Sequence, residues 1–269
     1  MVKAIVTGVA GRMGKCISAA IQDQQGITLV GGTERDGSEF LGRDAGEVAG
    51  VGPVGRPVFA DLRQALEAGA GDVAIDFTTP EATLKNLKAA VEMGKGMVIG
   101  TTGMEKDQRA EIENASRRIP IVFAPNMSVG INLMLRLIRE AALVLGEDFD
   151  IEVIEAHHRF KKDAPSGTAM KLAEVLADAM GKDLEKDGVF ARKGMIGERK
   201  RGEIGVQTLR AGDIVGDHTV LFGGMGERLE ITHRASGRET FARGAVKAAL
   251  WLKGRGPGLY SMQHVLGFA

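Results

Sequence analysis

Five short apolar runs, at residues 2–7, 27–32, 73–77, 97–99 and 121–123, alternate with amphipathic stretches through the first half of the chain. A strand that is apolar throughout must be covered on both faces, and the intervening helices are the material available to cover it. The alternation therefore predicts an α/β domain: a Rossmann-type, doubly wound parallel sheet with helices on either side. Pro80 at the first turn of a helix over 80–93 fits that reading, because the missing N–H is unbonded there anyway. The Gly-rich segment 42–55 lacks either period and is expected to be a flexible surface excursion.

Past Asn126 the pattern changes. A long apolar helix over 129–145 precedes a β-branched strand, a helix from Thr168, and strand-like runs at 205–209, 219–222 and 229–232. Helices and strands segregate, so a second, α+β domain with a mixed or antiparallel sheet is expected. The amphipathic stretch 240–252 reads as a helix able to return to the first domain.

In open parallel sheets ligands bind at the carboxyl ends of the strands. Gly8-Val9-Ala10-Gly11-Arg12-Met13-Gly14 occupies the first such end, spaced G-x-x-G-x-x-G because Ala10 holds the second position of the usual dinucleotide turn. Glu34 ends the second strand, where an acid bonds the adenosine ribose, and Arg35 beside it suits a 2′-phosphate. The two pull in opposite directions, which leaves NADH against NADPH open. The segments 76–80, 100–103 and 124–127 follow further strands and make up the edge where a nicotinamide would sit. A structural glycine turn with a surface acid is the plainer alternative.

The second cluster of chemistry is Glu155-Ala156-His157-His158-Arg159-Phe160-Lys161-Lys162-Asp163-Ala164-Pro165-Ser166-Gly167-Thr168-Ala169. It holds two of five histidines in a chain whose 35 basic and 35 acidic residues balance, so the local cations need a cause. The run joins a strand to a helix whose first N–H groups, at Ser166, Gly167 and Thr168, face an anion favourably. Cations, imidazoles and a helix start together point to a small carboxylate on which a proton moves; a solvated loop with an N-cap is the bland alternative. Adjacent histidines on a strand project to opposite faces, and no zinc-like spacing accompanies them, so no metal site is expected.

The charge balance argues against nucleic-acid or membrane-surface partners, and no apolar run reaches membrane-spanning length. The chain opens on an apolar strand rather than a signal peptide, and its single cysteine, Cys16, cannot form an internal disulfide. A cytoplasmic protein is expected.

Five ordered blocks resemble the 4-hydroxy-tetrahydrodipicolinate reductase (dihydrodipicolinate reductase) family. They are Gly8 to Gly14, Val98-Ile99-Gly100-Thr101-Thr102-Gly103, Ala124-Pro125-Asn126-Met127-Ser128-Val129-Gly130, the basic loop, and Arg210-Ala211-Gly212-Asp213-Ile214-Val215-Gly216. The resemblance runs essentially end to end. It implies an NAD(P)H-dependent reductase of the diaminopimelate route to lysine, with NADH or NADPH as hydride donor. The implied organisation is a cofactor domain of residues 1–126 and 236–269, and a substrate and homotetramer domain of residues 127–235. Gly8, Val9, Ala10, Gly11, Arg12, Met13, Glu34, Arg35, Gly100, Thr101, Thr102, Ala124, Pro125, Asn126 and Met127 would contact cofactor. His157 and Lys161 would be the acid/base pair, with His158, Gly167 and Thr168 holding substrate. Ala10 stands where some relatives have Gly, and Met127 where some have Phe. Two readings compete: another two-domain dehydrogenase sharing the Rossmann half, disfavoured because the basic loop matches one family in order and spacing, and a nucleotide-binding sensor without turnover, against which the presence of both His157 and Lys161 weighs.

Overall fold

The computed structural model describes residues 1–269. The chain begins β1 (Val2–Thr7), α1 (Arg12–Gln22), β2 (Ile27–Thr33), α2 (Ala45–Ala49), β3 (Val58–Phe59) and α3 (Leu62–Gly69). It continues through β4 (Val73–Asp76), α4 (Pro80–Glu92), β5 (Gly96–Ile99), α5 (Lys106–Ser116) and β6 (Pro120–Phe123). Next come α6 (Val129–Leu145), β7 (Asp150–His157), α7 (Gly167–Met180), α8 (Leu184–Asp187), β8 (Gly188–Val189) and β9 (Ile204–Arg210). The last elements are β10 (Gly216–Gly223), β11 (Arg228–Ala235), α9 (Glu239–Leu252), β12 (Gly258–Tyr260) and α10 (Met262–Val265). Two compact units result, residues 1–129 with 238–269, and residues 130–237.

The first unit is built on a seven-stranded sheet of order β12-β6-β5-β4-β1-β2-β3, parallel at every pairing. Successive strand residues point to opposite faces, and the apolar runs fill both. Val6, Ile75, Val98 and Val122 join one core with Ile17 and Ile21 of α1 and Ala245 and Ala249 of α9. Ile5, Ala74, Met97, Ile99 and Ile121 join the other with Leu66 of α3 and Ile112 of α5. The strand order reverses between β4 and β1, so the loops after these two strands diverge and open a crevice at the carboxyl edge. The 240–252 stretch is α9, and its small residues let it approach closely: a Cβ on Gly244 would lie 1.7 Å from the Met127 carbonyl oxygen.

Two features depart from expectation. Segment 42–55 is not a flexible excursion, because the Asp44 carboxylate accepts the N–H groups of Gly46, Glu47, Val54 and Arg56 and folds it around α2. Ala45, Val48 and Ala49 are buried there. The second is β12, a three-residue strand that pairs parallel with β6 and extends the sheet. It follows Pro257 in a Gly-rich tail and is too short to show a period.

The second unit carries a mixed five-stranded sheet of order β11-β10-β7-β9-β8. Helices α6 and α7 cover one face through Ile131, Met134, Ile138, Leu172 and Leu176, packed with Ile151, Val153, Val206, Val220 and Phe222. Along β7 the covered positions run Ile151, Val153, Glu155, His157, so this face changes from apolar to polar toward the strand's end. Register sets Glu155 beside Thr208 on β9 and His218 on β10, and His157 beside Arg210 on β9. No helix of the molecule is long and apolar enough to cross a membrane.

Candidate active site

Burying a carboxylate is costly unless donors surround it, and Glu155, with no exposed surface, is surrounded. It accepts Ser166 N–H at 3.0 Å, Thr208 Oγ1 at 3.2 Å, and the Arg210 guanidinium at 2.8 and 3.0 Å. His157 Nδ1 lies 2.6 Å from its Oε2. Burial alone would raise the Glu155 pKa; the bonds from Arg210, His157 and Ser166 outweigh it and hold the group below the usual carboxylate range. For His157 burial wins: it lowers the pKa, helped by the cations Lys161 and Arg210, against the opposing pull of Glu155. His157 also meets the His218 ring edge-on, centroids 5.2 Å apart. His218 is itself pushed down to about 4, by burial first and by His157 next.

The loop beyond β7 is fastened at several points. Ala211 donates its N–H to the His157 carbonyl at 2.9 Å, and Arg210 reaches the Asp163 carbonyl at 2.6 Å. Lys161 donates to the Asp163 carboxylate at 2.9 Å, so the ammonium has a counterion within its own loop. The half-buried His158 keeps its Nδ1 away from solvent without a protein partner. Ser166 caps α7, its Oγ accepting Ala169 N–H at 3.2 Å. The expectation that Ser166 offers an N–H to an anion is corrected here, because that N–H is committed to Glu155 and the residue is 2% exposed. Gly167, exposed, and Thr168, half-buried, remain at the helix start.

In the first unit the glycine turn leaves no room for side chains. Gly8 has φ +62°, and a Cβ on Gly14 would lie 2.1 Å from the Gly8 carbonyl oxygen. Helix α1 begins at Arg12 with Gly11 as an N-cap that supplies no side-chain bond, so its first N–H groups are not capped by a side chain. Ala10 donates its N–H to Glu34 Oε1 at 2.9 Å, and Arg35 is exposed beside it. Val9, Ala124 and Met127 are buried at 0%, 5% and 1% exposure, whereas Gly11, Arg12, Thr102 and Pro125 are exposed; Met13 and Asn126 are half-buried. The buried Asp76 gathers the loops after β4 and β5: its carboxylate accepts the hydroxyls of Thr78 and Thr83 at 2.8 Å and of Thr101 at 3.0 Å, and the Asn86 amide at 2.7 Å. A Cβ on Gly100 would lie 2.1 Å from the Phe77 ring. An open helix start, a turn that a Cβ would fill and an acid at the end of β2 fit the diphosphate and ribose of a dinucleotide.

Glu155, Arg210, Asp163, His218 and Asp76 escaped the sequence reading as site residues. A signal existed for Glu155, which stands two residues before His157 on a strand and so shares its face. Asp163 stands two residues from Lys161, and Asp76 opens a segment already placed at the sheet edge, so both had a local signal; Arg210 and His218 need the strand pairing, which spacing along the chain does not reveal.

Residues 2–127 match the family model described as dihydrodipicolinate reductase, N-terminus, and residues 130–266 match dihydrodipicolinate reductase, C-terminus. Among curated relatives, the 4-hydroxy-tetrahydrodipicolinate reductase of Syntrophotalea carbinolica is 53% identical over 267 residues, 99% of each chain. That of Alkalilimnicola ehrlichii is 55% identical over 262 residues, 97% of each chain. The dipicolinate-bound dihydrodipicolinate reductase of a Paenisporosarcina species shares the fold, with TM-score 0.77, 24% identity and 97% coverage of each chain. An amine dehydrogenase from Mycobacterium smegmatis shares it less closely, with TM-score 0.62 and 14% identity over 97% of this chain and 95% of that one.

Proposed function

From its membership of the dihydrodipicolinate reductase family, to which the chain belongs, we propose that it reduces 4-hydroxy-tetrahydrodipicolinate to tetrahydrodipicolinate, in the diaminopimelate route to lysine. The observation that carries this reading is the match along nearly the whole chain, 2–127 and 130–266, to both halves of one reductase. The reaction takes up one hydride and one proton, and the 4-hydroxyl leaves as water.

A nicotinamide dinucleotide supplies the hydride. Gly8 to Met13 and the start of α1 receive its diphosphate, and Gly100 to Thr102 with Ala124 to Met127 hold the nicotinamide end. Thr101 and Met127 contribute through backbone, since the Thr101 hydroxyl serves Asp76 and the Met127 side chain lies in the core. Both NADH and NADPH serve: Glu34 bonds the ribose diol, and Arg35 accommodates a 2′-phosphate.

The substrate is a ring dicarboxylate. His158 and the N–H groups of Gly167 and Thr168 take a carboxylate at the start of α7. Lys161, an ammonium paired with Asp163, delivers the proton that the departing hydroxyl needs. His157, kept neutral near pH 7 by burial, presents Nε2 as an acceptor that orients the substrate and exchanges protons with it. The homotetramer of the family has support in the sheet face opposite α6 and α7, where Ile154 and Leu221 are half-exposed and Leu209 is 49% exposed.

Pyridine-2,6-dicarboxylate, a planar mimic of the product that accepts no hydride, tests the carboxylate site. It should inhibit competitively against substrate, and Thr168→Val should weaken it. Inhibition competitive with nucleotide instead would place the dicarboxylate elsewhere.

A further inference from the structure

The inner face of β7 ends in a cluster that the reaction as described uses only in part. His157 handles protons, but the group that holds it, Glu155, binds no substrate in that scheme, although four residues from three parts of the unit converge on it with five hydrogen bonds. They are His157 on its own strand, Thr208 and Arg210 on β9, and Ser166 at the start of α7. Arg210 makes a two-toothed contact, the geometry that fixes a carboxylate plane as well as its charge. An ionised carboxylate accepts, so the short contact at 2.6 Å requires the imidazole proton on Nδ1. The other nitrogen, Nε2, then points to Gly216, where a built Cβ would come within 3.1 Å of it.

We propose that Glu155 is a positioning residue for the reaction: clamped by Arg210, it holds His157 in the Nδ1–H tautomer with Nε2 presented for proton exchange, and through Ser166 N–H it ties the carboxylate-binding start of α7 to the same anchor. The proposal rests on the reading of His157 as a proton-handling group. One buried carboxylate thereby sets the spacing between the imidazole and the helix start, two parts of the site that the chain separates by a loop.

The charged and titratable groups around His157 define what each substitution should do. Glu155 favours the imidazolium, whereas Arg210 on β9 and Lys161 in the loop oppose it. Lys161 is partly neutralised by Asp163. His218 on β10 faces the ring from the side, with His233 on β11 behind it. Removing the Glu155 charge and removing the Arg210 charge must therefore move His157 in opposite directions, a pattern that general loosening of the fold does not produce.

The test uses Glu155→Gln and Arg210→Gln in the full-length enzyme. Nitrogen NMR of labelled histidine reads the tautomer and titration of His157, and the pH profile of kcat/KM reads its consequence. In the unaltered enzyme neutral His157 should carry its proton on Nδ1. Glu155→Gln should lower the His157 titration by about one pH unit or more, and Arg210→Gln should raise it by a similar amount. The limb of the kcat/KM profile that His157→Gln abolishes should follow both shifts. If His157 keeps its tautomer and its titration in Glu155→Gln, the proposal is overturned. Should that variant not fold, the upward shift in Arg210→Gln supports the proposal and its absence overturns it. If the NMR titrations move as stated while the kinetic limb stays still, His157 is not the group that the profile reports; the reading of His157 then fails, and the catalytic consequence of Glu155 with it, although the imidazole is held as described.

Discussion

Ala10 N–H and Glu34 Oε1 lie 2.9 Å apart, so the turn after β1 and the end of β2 are joined by one carboxylate oxygen. In the proposed reading the second oxygen meets a ribose hydroxyl. Glu34 is thereby held in place, whereas Arg35 is exposed, and in the proposed reading it meets a 2′-phosphate. Arg35→Ala should weaken NADPH more than NADH, by roughly tenfold, the size of one lost charge-assisted hydrogen bond. Titrations of both nucleotides check this; equal losses would show that Arg35 does not read the 2′ position.

Lys161→Ala should lower kcat by roughly two to four orders of magnitude, the usual consequence of losing a general acid, while nucleotide affinity holds. Stopped-flow single turnovers separate the proton-dependent step from product release. Turnover near normal would take Lys161 out of the mechanism.

Gly100 has no space for a methyl group because the Phe77 ring fills it, at 2.1 Å from a built Cβ. Gly100→Ala should push Phe77 out of place at the cofactor edge, costing about 1–3 kcal/mol of stability and weakening nucleotide binding several-fold. Phe77→Ala in the same background should restore part of the affinity. A double variant no better than Gly100→Ala alone would show that the collision is not the cause.

His218 gives a pH dependence of stability with a definite sign. The folded protein holds it neutral down to about 4, whereas an unfolded chain titrates near the ordinary 6.5. Between those values the unfolded state binds the proton first, so stability is full above pH 6.5 and is lost as pH falls toward 4, on the order of 1.4 kcal/mol per pH unit from this group. His218→Phe keeps an aromatic edge against His157 and removes the titration. Urea midpoints between pH 4 and 6.5 should fall less steeply in the variant than in the parent; parallel slopes would assign the loss to other groups.

The first unit was the more legible half, for a physical reason. Apolar strands such as Val2–Thr7 must be covered on both faces, and Ile5 and Val6 do enter opposite cores. The β12 strand and α2 were missed because neither is long enough for a period to emerge, and both depend on distant partners, the β6 edge and the Asp44 carboxylate. In the second unit the basic loop was visible as a cluster of charge, but its organiser was not. Arg210 lies 55 residues from Glu155, and only the pairing of β7 with β9 brings them together. The same distance effect misled the reading of Ser166: its N–H looks available at a helix start until Glu155 is seen to occupy it.

The most direct test of the account is the initial rate of nicotinamide oxidation, followed by absorbance, when 4-hydroxy-tetrahydrodipicolinate generated enzymatically in the cuvette is added to the protein with NADH or NADPH. The account predicts saturable, substrate-dependent oxidation of both nucleotides, abolished or nearly so in Lys161→Ala and competitively inhibited by pyridine-2,6-dicarboxylate. Tight nucleotide binding with no oxidation of either nucleotide on adding substrate would contradict it and identify the chain as a binding protein that keeps the reductase fold without its reaction.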